Sequence, residues 1–189
     1  LRLRRTLQSW HSEEMPFVTT HNMVDDQHDE ILCGIRRVQL FNYADDPVKI
    51  VYHPDFISQI SPLFGMEYAE FVRGCHLGIF PSYYEPWGYT PLECVSSGIP
   101  AVTSNLSGFG DYVQKTMKVP RRKGLYVLNR KNRSYQESAR DLARFLLDFA
   151  KHGRRERIEL RNRTEAAAPL FDWERLIKHY QQAYTQALR

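Results

Sequence analysis

In Leu77-Gly78-Ile79-Phe80-Pro81-Ser82-Tyr83-Tyr84-Glu85-Pro86-Trp87-Gly88-Tyr89-Thr90-Pro91-Leu92-Glu93, an apolar run, a loop crowded with aromatic rings and a helix start follow directly on one another. Residues 77–80 have the composition of a short buried strand. Thr90 stands where an N-cap is expected, Pro91 at the first helical position and Glu93 three residues after the cap, the pattern of a capping box with proline at N1. Gly98 follows as the expected C-terminal stop. A strand, a loop and a helix N-terminus in that order are what an open α/β sheet uses to hold a ligand, and free N–H groups at the helix start favour a phosphate. Glu85 and Glu93 bracket the loop, eight residues apart. Pro86, Gly88 and Pro91 forbid one continuous helix between them, so the two carboxylates come from different local structures. Glu93 has two readings, cap or ligand. Glu85, in a Pro/Trp/Gly loop, is the stronger candidate to face a ligand.

On either side of this stretch, strands and helices alternate. Residues 48–52 (Val-Lys-Ile-Val-Tyr) predict a central strand, and residues 67–75 a helix with Tyr68, Phe71 and Val72 on one side. Residues 99–103 predict another strand. Asn105-Leu106-Ser107-Gly108-Phe109-Gly110 then opens into a helix at about 111–115, and Leu125-Tyr126-Val127-Leu128 predicts a fourth strand. Alternation of this kind implies an α/β fold, a parallel sheet with helices on its faces. Beyond Ser134 only helices are expected, over residues 135–152, 154–166 and 172–188, with Pro169 between the last two. At the other end, residues 1–14 carry Leu3, Leu7 and Trp10 at helical spacing and predict an amphipathic helix, and residues 16–20 a short strand or an extended connection. Residues 21–30 (His-Asn-Met-Val-Asp-Asp-Gln-His-Asp-Glu) are rich in potential metal ligands. Ordinary turn and cap chemistry ahead of a helix at 31–41 is the preferred account.

Composition narrows the class. The chain has 189 residues, 42% hydrophobic and 25% charged, a soluble globular balance of ordinary domain size. It begins at Leu1 rather than Met, as a piece of something longer would. No run reaches membrane-span length and no signal peptide is visible. Three scattered cysteines, Cys33, Cys75 and Cys94, with no CxxC, suit buried thiols in a reducing compartment. A net charge of +4 does not by itself imply nucleic acid. Much of the positive charge lies in Gly153-Arg154-Arg155-Glu156-Arg157-Ile158-Glu159-Leu160-Arg161-Asn162-Arg163. On a helix Arg154, Arg157 and Arg161 fall within roughly 60° of one another. They form either a solvated face relieved by Glu156 and Glu159 or a cradle for an anion, to which the planar guanidinium fork is suited. Nucleic-acid binding is a third and weaker option, because the basic residues do not extend along a longer surface.

Glu70-Phe71-Val72-Arg73-Gly74-Cys75-His76-Leu77-Gly78, the run from Phe80 to Glu93, the Asn105–Gly110 hexapeptide, Arg161-Asn162-Arg163-Thr164-Glu165 and Asp172-Trp173 together resemble the eukaryotic glycogen synthases of animals and fungi, from about residue 20 to the end. E-x7-E alone marks only a broad class of retaining glycosyltransferases; the Tyr-Glu-Pro-Trp-Gly-Tyr-Thr-Pro run with the arginine helix is specific. The resemblance implies a GT-B glycosyltransferase, two Rossmann-like domains around a cleft. Residues 1–189 would be a partial C-terminal domain, with 134–189 as its helical segment carrying the arginine-rich regulatory helix.

The implied reaction moves glucose from UDP-glucose to the non-reducing end of an α-1,4-glucan with retention. The resemblance places Glu85, Trp87 and Gly88 at the sugar nucleotide, Thr90 at the UDP portion and Glu93 near the ribose, with Glu85 as the candidate catalytic carboxylate. It assigns Arg157, Arg161 and His76 to the glucose 6-phosphate activator. Where the family often continues Thr-Glu-Arg, this chain has Thr164-Glu165-Ala166, one positive charge fewer, which puts the strength of regulation in question. No Asp-x-Asp metal motif occurs, and no cofactor is implied beyond donor and activator. The implied partners are glycogen or another α-glucan, further copies of the chain and a glycogenin-type primer protein, with no nucleic acid and no membrane, in the cytoplasm. The chain alone is expected to have no turnover, because the family's basic side chains for the leaving group lie outside it. Two other functions stay open at this level: a starch- or sucrose-synthase-like transferase, or a non-catalytic sugar-phosphate-sensing module.

Overall fold

A computed structural model describes residues 18–189 except residue 62. The expected helix over 1–14 lies outside the described residues. The chain falls into two compact units, one ending at Gly65 and the other running from Met66 to Arg189.

In the first unit α1 spans Glu30–Arg37. Its start follows from the polar loop before it: Asp29 is the N-cap and its carboxylate accepts from the Leu32 N–H at 2.8 Å. Asp25 accepts from the Gln27 and His28 N–H groups and contacts the His28 ring at 2.7 Å. Asp25 and Asp29 are thus engaged in turn and cap chemistry. Residues 48–52 are not a strand. Val48 and Val51 are exposed, and Tyr52 alone forms an isolated parallel bridge to Thr19. Local β-propensity describes a fit to a pleated, half-buried surface, and only one neighbouring residue supplies one here.

The second unit is built on a three-stranded parallel sheet in the order β1–β2–β3. It runs α2 (Tyr68–Gly74), β1 (Gly78–Ile79), α3 (Tyr89–Ser96), β2 (Ala101–Ser104), α4 (Gly108–Thr116), a 3-10 turn (Pro120–Lys123) and β3 (Leu125–Leu128). Then come α5 (Tyr135–Ala150), α6 (Arg154–Glu165), a 3-10 turn (Ala168–Phe171) and α7 (Trp173–Ala187). Gly78 pairs with Ala101, and Ala101 with Leu125. All four residues of β2 are buried, as befits a central strand. The α/β class with flanking helices is as expected from the alternation.

The core gathers Val72, Cys94, Val95, Ile99, Ala101, Phe109, Val113, Leu125 and Phe171. Phe171 packs edge-on to Phe109 at 4.9 Å between centroids, so the helical C-terminal segment shares one core with the sheet. Each such fully buried ring contributes about 2 kcal/mol of transfer free energy. α3 ends in a Schellman motif: Gly98 N–H bonds to Val95 and Ile99 N–H to Cys94, with Gly98 at φ +70°. The same helix buries Cys94, and burial pushes that thiol up to about 11. At pH 8 only roughly a thousandth of it is thiolate. Iodoacetamide is therefore expected to label the half-buried Cys33 and Cys75 in the folded protein and to reach Cys94 only on unfolding, as peptide mass mapping would show.

Candidate functional site

The site forms where β1 and β2 end. After β1 the chain turns out through Pro81-Ser82-Tyr83-Tyr84 and comes back beside the start of α4. Glu85 forms an isolated parallel bridge to Ser107. Gly108 N–H donates to the Glu85 carbonyl at 3.0 Å and Phe109 N–H to the Trp87 carbonyl at 2.7 Å. The approach is possible because residue 108 is glycine: a Cβ there would sit 2.1 Å from the Pro86 carbonyl oxygen. Ser107 caps α4, its hydroxyl accepting from Gly110 N–H at 3.0 Å, and lies 2.9 Å from the Thr103 hydroxyl. The first amides of α4 are thus taken up by the loop and the cap.

The Glu85 carboxylate is half-buried and accepts from the Ser82 hydroxyl at 3.1 Å. Ser82 is itself held, its carbonyl accepting from the Ser104 hydroxyl at 2.6 Å at the end of β2. From β3's end, the buried Arg130 donates to the Pro81 carbonyl, and its guanidinium lies 3.5 Å from the Tyr83 ring centroid. Asn105 braces this arm: its oxygen accepts from the Arg130 and Lys131 N–H groups, and its amide donates to Asn129. Ser82, Ser104, Asn105 and Arg130 were absent from the candidate residues. Ser82 reaches Glu85 locally, but what holds Ser82 and the loop in place comes from Ser104, Asn105 and Arg130, whose partners are 22–49 residues away and leave no local signature.

The helix after the loop starts earlier than expected. The N-cap of α3 is Gly88, at φ +123°, and no side chain caps it. Thr90 is the second helical residue, Pro91 the third and Glu93 the fifth, so the capping box does not form. The reason is long-range: residues 85 and 87 are bound to α4's start, which forces the turn at Gly88. Pro91 is tolerated because first-turn N–H groups have no intrahelical acceptor. Released from capping, Glu93 is exposed, as are Tyr89 and Thr90. Their i,i+3 and i,i+4 spacing puts all three on one side of α3. Tyr68 lies close to this end of α3: burial first, then Cys94 and Glu93, hold its phenol above the usual value. Trp87 packs on Phe109 and Tyr112, both at 5.7 Å between centroids, so its ring supports the core next to the loop.

The arginine residues form a second locus. In α6, Glu156 accepts from the Gly153 N–H at 2.7 Å, and Arg155 pairs with Glu159 at 3.1 Å. Arg161 donates to the Cys75 carbonyl at 3.1 Å and to the Arg73 carbonyl at 3.2 Å, tying α6 to the end of α2 and to the residue before His76. Arg157 is half-buried and has no acidic partner among the described residues; His76 is exposed. The structure thus brings Arg161 to the His76 segment.

A carboxylate loop and an uncapped helix start at the carboxyl edge of a parallel sheet define an α/β domain with its ligand site where the strands end. The glycogen synthase family pattern matches residues 1–189, the whole chain. The chain is 53% identical to the liver glycogen [starch] synthase of Mus musculus over 181 residues, 96% of this chain and 26% of the relative. It is 47% identical to the glycogen [starch] synthase of Caenorhabditis elegans, with 98% of this chain and 28% of the relative covered. With that of Neurospora crassa identity is 46%, covering 99% and 26%. The chain belongs to the glycogen synthase family. It spans little more than a quarter of the length of these relatives.

Proposed function

We propose that the protein transfers glucose from UDP-glucose to the non-reducing end of an α-1,4-glucan, with retention, and that glucose 6-phosphate activates it. The observation that carries the first part is the half-buried Glu85 carboxylate, fixed by Ser82 beside the uncapped start of α3. Breaking the anomeric C–O bond puts positive charge on the sugar ring and leaves the electron pair on the diphosphate. A fixed carboxylate stabilises the cationic ring or orients its hydroxyls, and α3's first N–H groups suit the diphosphate. The new bond forms between the anomeric carbon and the acceptor hydroxyl, whose proton leaves with the diphosphate. Trp87 and Gly88 shape the loop against the donor, while Thr90 and Glu93 present polar groups on α3's exposed side, towards the UDP portion and the ribose.

In this reading the acceptor is glycogen, the full-length enzyme works in the cytoplasm as a homo-oligomer with a glycogenin-type primer, and no metal or organic cofactor takes part. Among the described residues no helix is long and apolar enough to cross a membrane. Incorporation of labelled glucose from UDP-glucose into glycogen by the full-length protein tests the reading. Glucose 6-phosphate binding without any incorporation would reject it in favour of a sensor. The 189-residue chain by itself is expected to show no incorporation.

Arg157, Arg161 and His76 are the proposed activator contacts. A phosphate bridging the two guanidinium groups relieves their repulsion, and it activates only by binding one conformation better than the other. Arg157→Ala combined with Arg161→Ala is expected to abolish the response to glucose 6-phosphate; a response of ordinary size would reject the assignment. Arg157→Ala alone removes none of the bonds that tie α6 to the end of α2, so its smaller response reports ligand contact rather than damage there.

A further inference from the structure

α6 has a second basic side that the proposed activator does not use. Leu160 and Thr164 form its buried stripe. Arg157 and Arg161 lie to one side of that stripe and Arg163 to the other, roughly 160° around the helix from Arg161. Arg163 faces a cavity of about 390 Å³ at the amino ends of β2 and β3, next to Pro100 and Gly124. This is the end of the sheet opposite to Glu85.

The cavity combines two kinds of surface. Tyr126, Phe145, Phe149 and Leu160 give apolar walls; Tyr126 and Phe145 are stacked at 4.1 Å with their planes 6° apart. Arg121, Arg122 and Arg163 supply positive charge, and His152 lines the same space. Arg121 sits over the two stacked rings and is partly offset by Asp148 at 3.6 Å, both being largely exposed. Arg122 and Arg163 have no acidic partner among the described residues. The Nδ1 atom of His152 is buried and makes no hydrogen bond. Two unneutralised guanidinium groups lining one cavity call for an anion with several acceptor oxygens. The cavity volume lies within the range of about 300–1,000 Å³ usual for small-molecule sites. Aromatic walls reward a ligand that brings a ring as well as a charge.

We propose that this cavity, with Arg122, Arg163 and His152 at its polar side, binds a phosphate monoester carried on a ring, a nucleotide or a sugar phosphate, at a site separate from both the Glu85 loop and the Arg157/Arg161 face. The phosphate bridges Arg122 and Arg163, and the ring lies on Phe149 and the Tyr126–Phe145 wall.

The test uses the full-length protein carrying Arg157→Ala and Arg161→Ala, so that the first basic face is silent. Calorimetric titrations with AMP, glucose 6-phosphate and inorganic phosphate are compared. At least one ring phosphate should bind ten or more times tighter than inorganic phosphate; AMP as the better ligand identifies a nucleotide site, glucose 6-phosphate a sugar-phosphate site. Adding Arg122→Ala and Arg163→Ala, both at exposed positions, should weaken that ligand at least tenfold. Val119→Trp, which fills the cavity mouth and removes no charge, should erase the advantage over inorganic phosphate. The proposal is overturned if no ring phosphate outbinds inorganic phosphate, or if affinity survives both the double arginine change and the tryptophan.

Discussion

Replacing Glu85 by Gln is expected to lower kcat by about 10²–10³-fold, the usual cost of removing one preorganised electrostatic partner of a transition state, with UDP affinity almost unchanged. Gln keeps the size of the side chain and can still accept from the Ser82 hydroxyl, so the loop keeps its shape and only the negative charge is lost. A charge that matters mainly when the sugar becomes cationic shows itself in kcat rather than in ground-state binding. Steady-state rates of the full-length enzyme, set beside UDP titrations, separate the two. A turnover number close to that of the parent would remove Glu85 from the chemistry.

Gly108→Ala is expected to cost about 3 kcal/mol or more, at the upper end of overpacking penalties, and to lower Tm by roughly 10 °C for a unit of this size. The added methyl would meet the Pro86 carbonyl oxygen at 2.1 Å. The obstacle is main chain on both sides, so no side chain can rotate to relieve it. Relief requires residues 85–88 to move away from α4, which also breaks the Gly108-to-Glu85 and Phe109-to-Trp87 hydrogen bonds. The variant should therefore lose activity even at temperatures where it is folded. Thermal denaturation together with low-temperature assays checks both parts; a Tm within a few degrees of the parent would contradict the close approach.

The three sheet strands were legible in the sequence because each is a short apolar run set between turn residues or helix starts; the burial expected of residues 77–80 was not met, because β1 ends the strand order and leaves Ile79 exposed. The helices after Ser134 were equally plain from their length and from Pro169 between the last two; the structure adds a capping box of Ser134 and Glu137 at the first of them, which the sequence reading did not use. Residues 48–52 misled because β-branched side chains record what a strand prefers, whereas a strand also requires neighbours to pair with. The start of α3 misled for a related reason. Thr90-Pro91-x-Glu93 is a sound local cap, but the tie between residues 85–87 and 107–109 takes precedence and sets the turn at Gly88. Glu85 was visible as an acid without a local task. The Ser104 and Arg130 contacts that hold its loop were not, because hydrogen bonds between distant residues leave no periodic trace.

One consequence follows from the two main-chain carbonyls that Arg161 holds. Its guanidinium spends two of its five N–H donors on them, so a phosphate arriving as proposed takes the remaining donors or displaces a bond at a cost of about 1.5–3 kcal/mol each. The carbonyls at stake, those of Arg73 and Cys75, close α2 just ahead of the strand that leads to the Glu85 loop. Under the proposed activation, a phosphate that took either bond would free the carbonyl of Arg73 or Cys75 and loosen the end of α2, whose main chain continues into β1.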